Sequence, residues 1–360
     1  MVDKFQYLKS IFPGVVLALI FCLFSQGINN VLAIEIFGTE KSPISTVLIA
    51  ILLGILMGNA FTPRPGMMIG LDFTQQYILK LGIIFLGIRL SFADFIKFGS
   101  VAIPLVIFCI LGVLILIKLL IKKVPISSKM SYLIAIGTSV CGATAIVATA
   151  PVINAKKTEV AYAIANITLF GVIAMLVYPY FAEWYFDNNA LEAGLFLGTS
   201  IHETSQVAAA GLIYDQQFNN PETLNVATVT KLIRNTFLVI LIPLFAFLYN
   251  RGELKGQNYS ILNIFPYFVL GFIGMIIVRN LGDQFFPLGN SNHEIWVGII
   301  GYLKTLATVF LTMAMAAVGI SINLGELKSM GYKPFVVGLI AAVTVGIISL
   351  IYIETLNKFI

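Results

Sequence analysis

The chain has 360 residues, 59% of them hydrophobic and only 11% charged, with a mean hydropathy of +0.95. That balance excludes a soluble globular protein and requires a chain solvated mainly by lipid. The net charge of +5 does not indicate nucleic acid, because the basic residues cluster at the ends of apolar runs, where they act as orientation signals. Cysteine is scarce and odd in number, 3 in all, and Cys22 and Cys109 lie inside apolar runs. A disulfide framework or a metal cluster is therefore not expected.

An apolar run of roughly 20 residues is a membrane span. Such runs begin near Phe12, Pro43, Tyr77, Val101, Ser131, Val160, Leu191, Val226, Ile264, Trp296 and Pro334, which predicts about eleven transmembrane helices. The first run follows two lysines and has no small-residue cleavage site before Gln26-Gly27, so it reads as a retained helix. Connections are short and polar, as at Ile121–Lys129, Glu183–Asn189 and Arg251–Asn258. The expected fold class is all-α polytopic, with one integral membrane domain over 1–360.

Basic residues set the orientation. An N-terminus on the cytoplasmic side puts Lys4, Lys9, Arg64, Lys122, Lys123, Lys129, Arg251, Lys255, Lys328 and Lys333 in cytoplasmic segments. Lys156-Lys157 is the exception. Either the fifth span is re-entrant or this pair sits at an extracellular mouth, and the repeat argument favours the second. Setting residues 1–40 aside as an extra helix leaves ten spans, divisible into repeats at 43–182 and 191–360. Five spans per half give inverted orientations automatically. Leu53-Gly54 with Gly58-Asn59 lines up with Leu197-Gly198 and His202-Glu203, and Tyr132-Leu133 with Thr138 lines up with Tyr302-Leu303 and Thr308. A rival match, which that register does not predict, pairs Gly87-Ile88 and Gly99 with Gly319-Ile320 and Gly331.

Three constellations can carry chemistry. Gly137-Thr138-Ser139-Val140-Cys141-Gly142-Ala143-Thr144 interrupts an apolar run with glycines and hydroxyls. Such residues weaken a helix and supply partners for freed backbone groups, a break that lipid tolerates only beside protein or water. Close packing through small residues is the competing explanation. Gly198-Thr199-Ser200-Ile201-His202-Glu203-Thr204-Ser205-Gln206 places an ionisable pair in mid-span. Such a pair faces a cavity or a partner, and either residue can carry a coupled proton; Ser205 and Gln206 fall on the His202 face at helical spacing. The alternative is a structural hydrogen-bond knot. A zinc-protease motif fails, because Gln206 stands where a second histidine ligand is needed. Lys231 and Arg234, three apart, share a helical face and can attract an anionic substrate, pair with Glu203, or anchor at the interface. Arg89 and Lys304 raise the same question more weakly. Thr308 and Thr312 become site candidates only if span 10 mirrors span 5.

The stretches at 137–146 and 198–211, together with Pro151-Val152-Ile153, Leu169-Phe170-Gly171, Tyr178-Pro179 and Ala227-Thr228 before Lys231 and Arg234, resemble the bacterial YeiH-like membrane proteins, which carry a sulfate-exporter label. Thr204-Ser205 and Asn235 stand where that pattern has apolar residues. The resemblance extends to the bile-acid/sodium symporter and cation/proton antiporter superfamily. It implies two inverted five-helix repeats, discontinuous crossing helices in spans 5 and 10, and residence in the bacterial inner membrane.

The function expected on these grounds is secondary active transport of a small anionic solute, sulfate or a related sulfonate or carboxylate, coupled to H+ or Na+. The binding set expected is Asn59, Gly137, Thr138, Ser139, Cys141, Gly142, Thr144, Gly198, Thr199, Ser200, His202, Glu203, Ser205, Gln206, Lys231, Arg234, Thr308 and Thr312. A passive anion channel is the alternative. No cofactor, metal or nucleic acid is expected, and an enzyme is not, for want of a nucleophile–base pair. The partners are the solute, the lipid bilayer and, as a homodimer, a second copy of the chain.

Overall fold

A computed structural model describes residues 4–36, 42, 44–61, 64–120, 127–249, 266–323, 325 and 332–357. Lys122, Lys123, Arg251, Lys255, Lys328 and Gly331, used above for orientation and repeats, lie outside them, as does the Arg251–Asn258 connection. Eight helices among the described residues are long and apolar enough to span a membrane, and Thr46–Ala60 is a shorter apolar helix. The protein is a polytopic, all-helical membrane protein.

The helices in chain order are α1 (Lys4–Val31), α2 (Thr46–Ala60), α3 (Pro65–Phe73) and α4 (Leu79–Leu86), the last two joined by a π turn and followed by a 3-10 turn at Gly87–Arg89. Next come α5 (Phe92–Leu120), α6 (Ser128–Ser139), α7 (Ala143–Thr149), α8 (Lys157–Phe186), α9 (Ala190–Ser200) and α10 (Thr204–Phe218). The chain continues through α11 (Pro221–Thr236), α12 (Leu238–Tyr249), α13 (Phe268–Phe285), α14 (His293–Ser321) and α15 (Tyr332–Asn357).

Two compact units emerge, and each draws on both ends of the sequence. The first comprises Met1–Phe95, Leu212–Pro221 and Phe268–Glu326. Its helices approach at backbone distance. A Cβ on Gly14 would collide with the Met67 carbonyl, and one on Gly70 with the Ile11 carbonyl, so only glycine lets α1 lie against α3. The second comprises Ile96–Gly211, Glu222–Tyr267 and Leu327–Ile360.

Two hairpins whose breaks lie in the second unit enter the span without crossing it. In the first, α6 stops at Ser139 and α7 restarts at Ala143. Gly142 makes the reversal at φ +67, in the left-handed region that glycine occupies without strain. The two ends of this hairpin meet. The Lys129 ammonium donates to the Asn154 carbonyl at 2.7 Å, and the Ser127 hydroxyl donates to the Glu159 carboxylate, whose other oxygen accepts the Lys156 N–H at 2.7 Å. The fifth span is therefore re-entrant, which corrects the expectation that it crosses. Lys156-Lys157 returns to the side of Lys129, and the exception to the charge rule disappears.

The second hairpin is α9–α10. Gly194 packs on Val226 and Gly198 on Thr230, so α9 runs parallel to α11. Beyond the break the direction reverses. Thr204 accepts from Asn235 at 2.9 Å, while Gly211 packs on Leu224. One hairpin is thus rooted at the N-terminal end of α8 and the other follows its C-terminal end. With 12 residues in α6 and 11 in α9, each arm reaches about 17 Å, roughly half the hydrocarbon thickness. The tips meet in mid-span.

Span 10 corrects a further expectation. The helix His293–Ser321 is continuous through Ala307, and the second interruption lies at Ile201–Glu203. Thr308 and Thr312 return their hydroxyl hydrogens to the Lys304 and Thr308 carbonyls, at 3.1 and 2.8 Å. In that geometry a threonine is satisfied inside the helix and does not break it.

Candidate functional site

Each hairpin ends its first arm with Gly-Thr-Ser followed by a β-branched residue, Val140 or Ile201. Both residues leave helical geometry, Ile201 as extended backbone and Val140 at φ −126, ψ −92. The C-termini of α6 and α9 are left facing each other. A helix C-terminus carries about half a negative charge on unpaired carbonyls, so two that converge in lipid repel and lack hydrogen-bond partners.

Two cations on α11 resolve this. Lys231 and Arg234 are fully buried on one face of the helix. The Lys231 ammonium donates to Val140 O at 2.9 Å, Ile201 O at 3.0 Å and His202 O, which occupies all three of its hydrogens. The Arg234 guanidinium donates to Ser139 O at 2.7 Å through Nε, to Ile201 O at 3.2 Å and Thr199 O through Nη1, and to Thr138 O through Nη2. Neither cation forms an ion pair with Glu203 among the described residues. Their direct work is to hold the tips together. Lys231 has no hydrogen left to donate elsewhere.

Glu203 is half-buried where the tips touch. Its Cγ packs on Gly142, at a position where any Cβ would stand only 2.5 Å away. Its carboxylate accepts weakly from the Ala143 N–H at 3.4 Å. The Glu203 N–H donates to Gln206 Oε1 at 3.2 Å, the return half of a capping box at the start of α10. The Gln206 amide also donates to Thr168 O at 3.4 Å. Because the chain is non-helical at 201–203, Ser205 and Gln206 do not share a helical face with His202. That spacing argument is corrected, although Ser205, Gln206 and His202 are all buried near the break.

Buried polar atoms without partners concentrate here. Thr138 Oγ1, Ser139 Oγ, Ser200 Oγ, His202 Nδ1, Thr230 Oγ1 and Asn235 Oδ1 have none among the described residues. Thr230 and Asn235 were absent from the expected set, yet Thr230 lies one turn before Arg234 on the same face. Cys141 is half-buried and Thr144 exposed, whereas Thr199 is satisfied by Ser349 at 2.7 Å. Gly137 and Gly198 serve close packing, against Ile167 and Thr230. Asn59, Thr308 and Thr312 belong to the first unit, where Asn59 donates to the Ile55 and Ile322 carbonyls, both at 2.8 Å.

The model of the family described as conserved hypothetical protein 698 matches residues 13–338. The chain belongs to that family. A UPF0324 membrane protein of Fusobacterium nucleatum is 33% identical over 88% of this chain and 91% of its own length. One from Streptococcus agalactiae is 33% identical over 94% and 95%. The UPF0324 inner membrane protein YeiH of Escherichia coli is 32% identical over 82% of this chain and 81% of its own. No solved structure matches the chain. Family membership and the apolar helices agree on a multi-pass membrane protein.

Proposed function

We propose that this member of the conserved hypothetical 698 family is a secondary transporter of a small anionic solute, coupled to protons, with the solute bound where the hairpin tips meet. The observation that carries the reading is a mid-span break holding two buried cations, a partly buried carboxylate and a set of buried, partnerless hydroxyls. Helix breaks and ionisable groups at membrane depth mark solute and ion pathways.

Charge balance supplies the coupling. Lys231 and Arg234 contribute two positive charges, and the two helix C-termini offset about one of them. Ionised Glu203 cancels the remainder, so a proton on Glu203 leaves an excess that an anion can neutralise. Anion and proton then bind together. Thr138, Ser139, Ser200 and Thr230 supply hydroxyl donors to the anion's oxygens, and His202 Nδ1 is likewise buried without a partner among the described residues. The resemblance to exporters favours sulfate or a related sulfonate or carboxylate. Alternating access arises when the hairpins, entering from opposite ends of α8, open in turn. This reading involves no catalytic step and no cofactor, and it places the N-terminus in the cytoplasm.

Reconstituted proteoliposomes test it. An imposed pH gradient is expected to drive saturable uptake of radiolabelled sulfate, with a sodium gradient as comparison. Single-channel currents, or flux indifferent to both gradients, would contradict coupled transport and indicate a passive anion pore.

A further inference from the structure

The first unit contains a polar cavity of about 320 Å³, separate from the residues assigned to transport. Arg89 enters from the 3-10 turn after α4, Asp215 and Gln216 from the last turns of α10, Ser45 and Thr46 from the start of α2, and Thr308 from α14. Only Ile44 and Leu212 in its lining are apolar, which is unusual in a chain of this composition.

Its charged groups are only half used. Arg89 Nη1 donates to Asp215 Oδ2 at 2.9 Å, and the two side chains are 12% and 18% exposed. Arg89 Nε is buried with no acceptor, and Gln216 Oε1 is buried with no donor. A guanidinium held through one nitrogen keeps another edge for a planar oxyanion. The local field suits negative charge as well. Ser45 caps the 15-residue α2, accepting from the Leu48 N–H at 3.1 Å, so the positive end of that helix adjoins the cavity. Lys304 lies one turn before Thr308 on the same face of α14.

We propose that this cavity binds a small carboxylate that also carries hydroxyl groups, with the carboxylate on Arg89 and a hydroxyl on Gln216 and Asp215. Arg89 and Gln216 both line the cavity, and each has a buried polar atom without a partner, one a donor and one an acceptor, which calls for a ligand with both complements. The site does not depend on transport, since a protein that moves nothing can still bind there.

Three matched three-carbon probes separate the requirements. Glycerate has both groups, propionate only the carboxylate, and glycerol only the hydroxyls. In calorimetric titrations of the detergent-purified protein, glycerate is expected to bind about tenfold more tightly than propionate, and glycerol not at all over the same range. Arg89→Lys is expected to weaken glycerate about tenfold by losing the planar fork. Gln216→Leu, which leaves the ion pair intact, is expected to abolish the advantage of glycerate over propionate. No glycerate binding, equal binding of glycerate and glycerol, or binding unchanged by both substitutions would overturn the proposal.

Discussion

Replacing Arg234 by leucine is expected to lower the thermal unfolding temperature of the purified protein by roughly 10 °C or more. The cause is local. Arg234 donates to the carbonyls of Thr138, Ser139, Thr199 and Ile201, four buried residues, and its removal strands their acceptors at two helix ends. Each stranded buried group costs about 1–3 kcal/mol, so even partial relaxation leaves a loss of several. Lys231 cannot compensate, because its three hydrogens are already engaged with Val140, Ile201 and His202. Arg234→Lys should fall between, keeping the charge while losing the fork that spans both tips. Arg64, exposed at the start of α3, is the control, and Arg64→Gln should shift the transition little. Fluorescence-detected size-exclusion after heating measures all three. An Arg234→Leu protein as stable as the parent would mean that the tips are held by something else.

The second large effect concerns Glu203. Glu203→Gln preserves shape and the contact with Gly142 while fixing the site in its uncharged form. The folded protein should elute unchanged and still bind anion, because the excess positive charge becomes permanent. Uptake driven by a pH gradient is expected to fall at least about tenfold, as a proton carrier is removed from the cycle. Downhill exchange of anion for anion should persist, since it needs no proton. Sulfate flux in proteoliposomes, with and without an imposed gradient, separates the two. A variant with undiminished pH-driven accumulation would remove Glu203 from the mechanism.

Much of this arrangement is legible in the residues. Composition alone requires a polytopic chain, and the motifs at 137–144 and 198–206 mark both breaks. The clearest signal is the repetition of Gly-Thr-Ser plus a β-branched residue at 137–140 and 198–201, which aligns the hairpins with each other. The five-span register compares Gly198 with Gly54 and searches for the second break in span 10, where Thr308 and Thr312 are satisfied within an unbroken helix. Hydropathy cannot tell a crossing span from a folded-back one, because both need a similar length of apolar sequence. Lys156-Lys157 carried that information, and the charge rule flagged it as an anomaly. The spacing of Lys231 and Arg234 placed them on one helical face but left a buried role and an interface anchor both open, and it could not name their acceptors, because backbone carbonyls leave no trace in side-chain identity. The cavity around Arg89 was invisible for a different reason. Its ion pair joins residues 126 positions apart, and neither partner sits in a motif.

The central claim is that the tips of two half-membrane hairpins meet at a place water reaches. Cys141 lies at that place and is half-buried, while the other two cysteines are buried. In a Cys22→Ala, Cys109→Ala protein, a small, charged, water-soluble methanethiosulfonate reagent applied to intact membranes should modify Cys141. High sulfate should slow that modification. If Cys141 stays unmodified in the membrane from either side yet reacts once the protein is denatured, the tips are sealed in a dry core and the account is wrong.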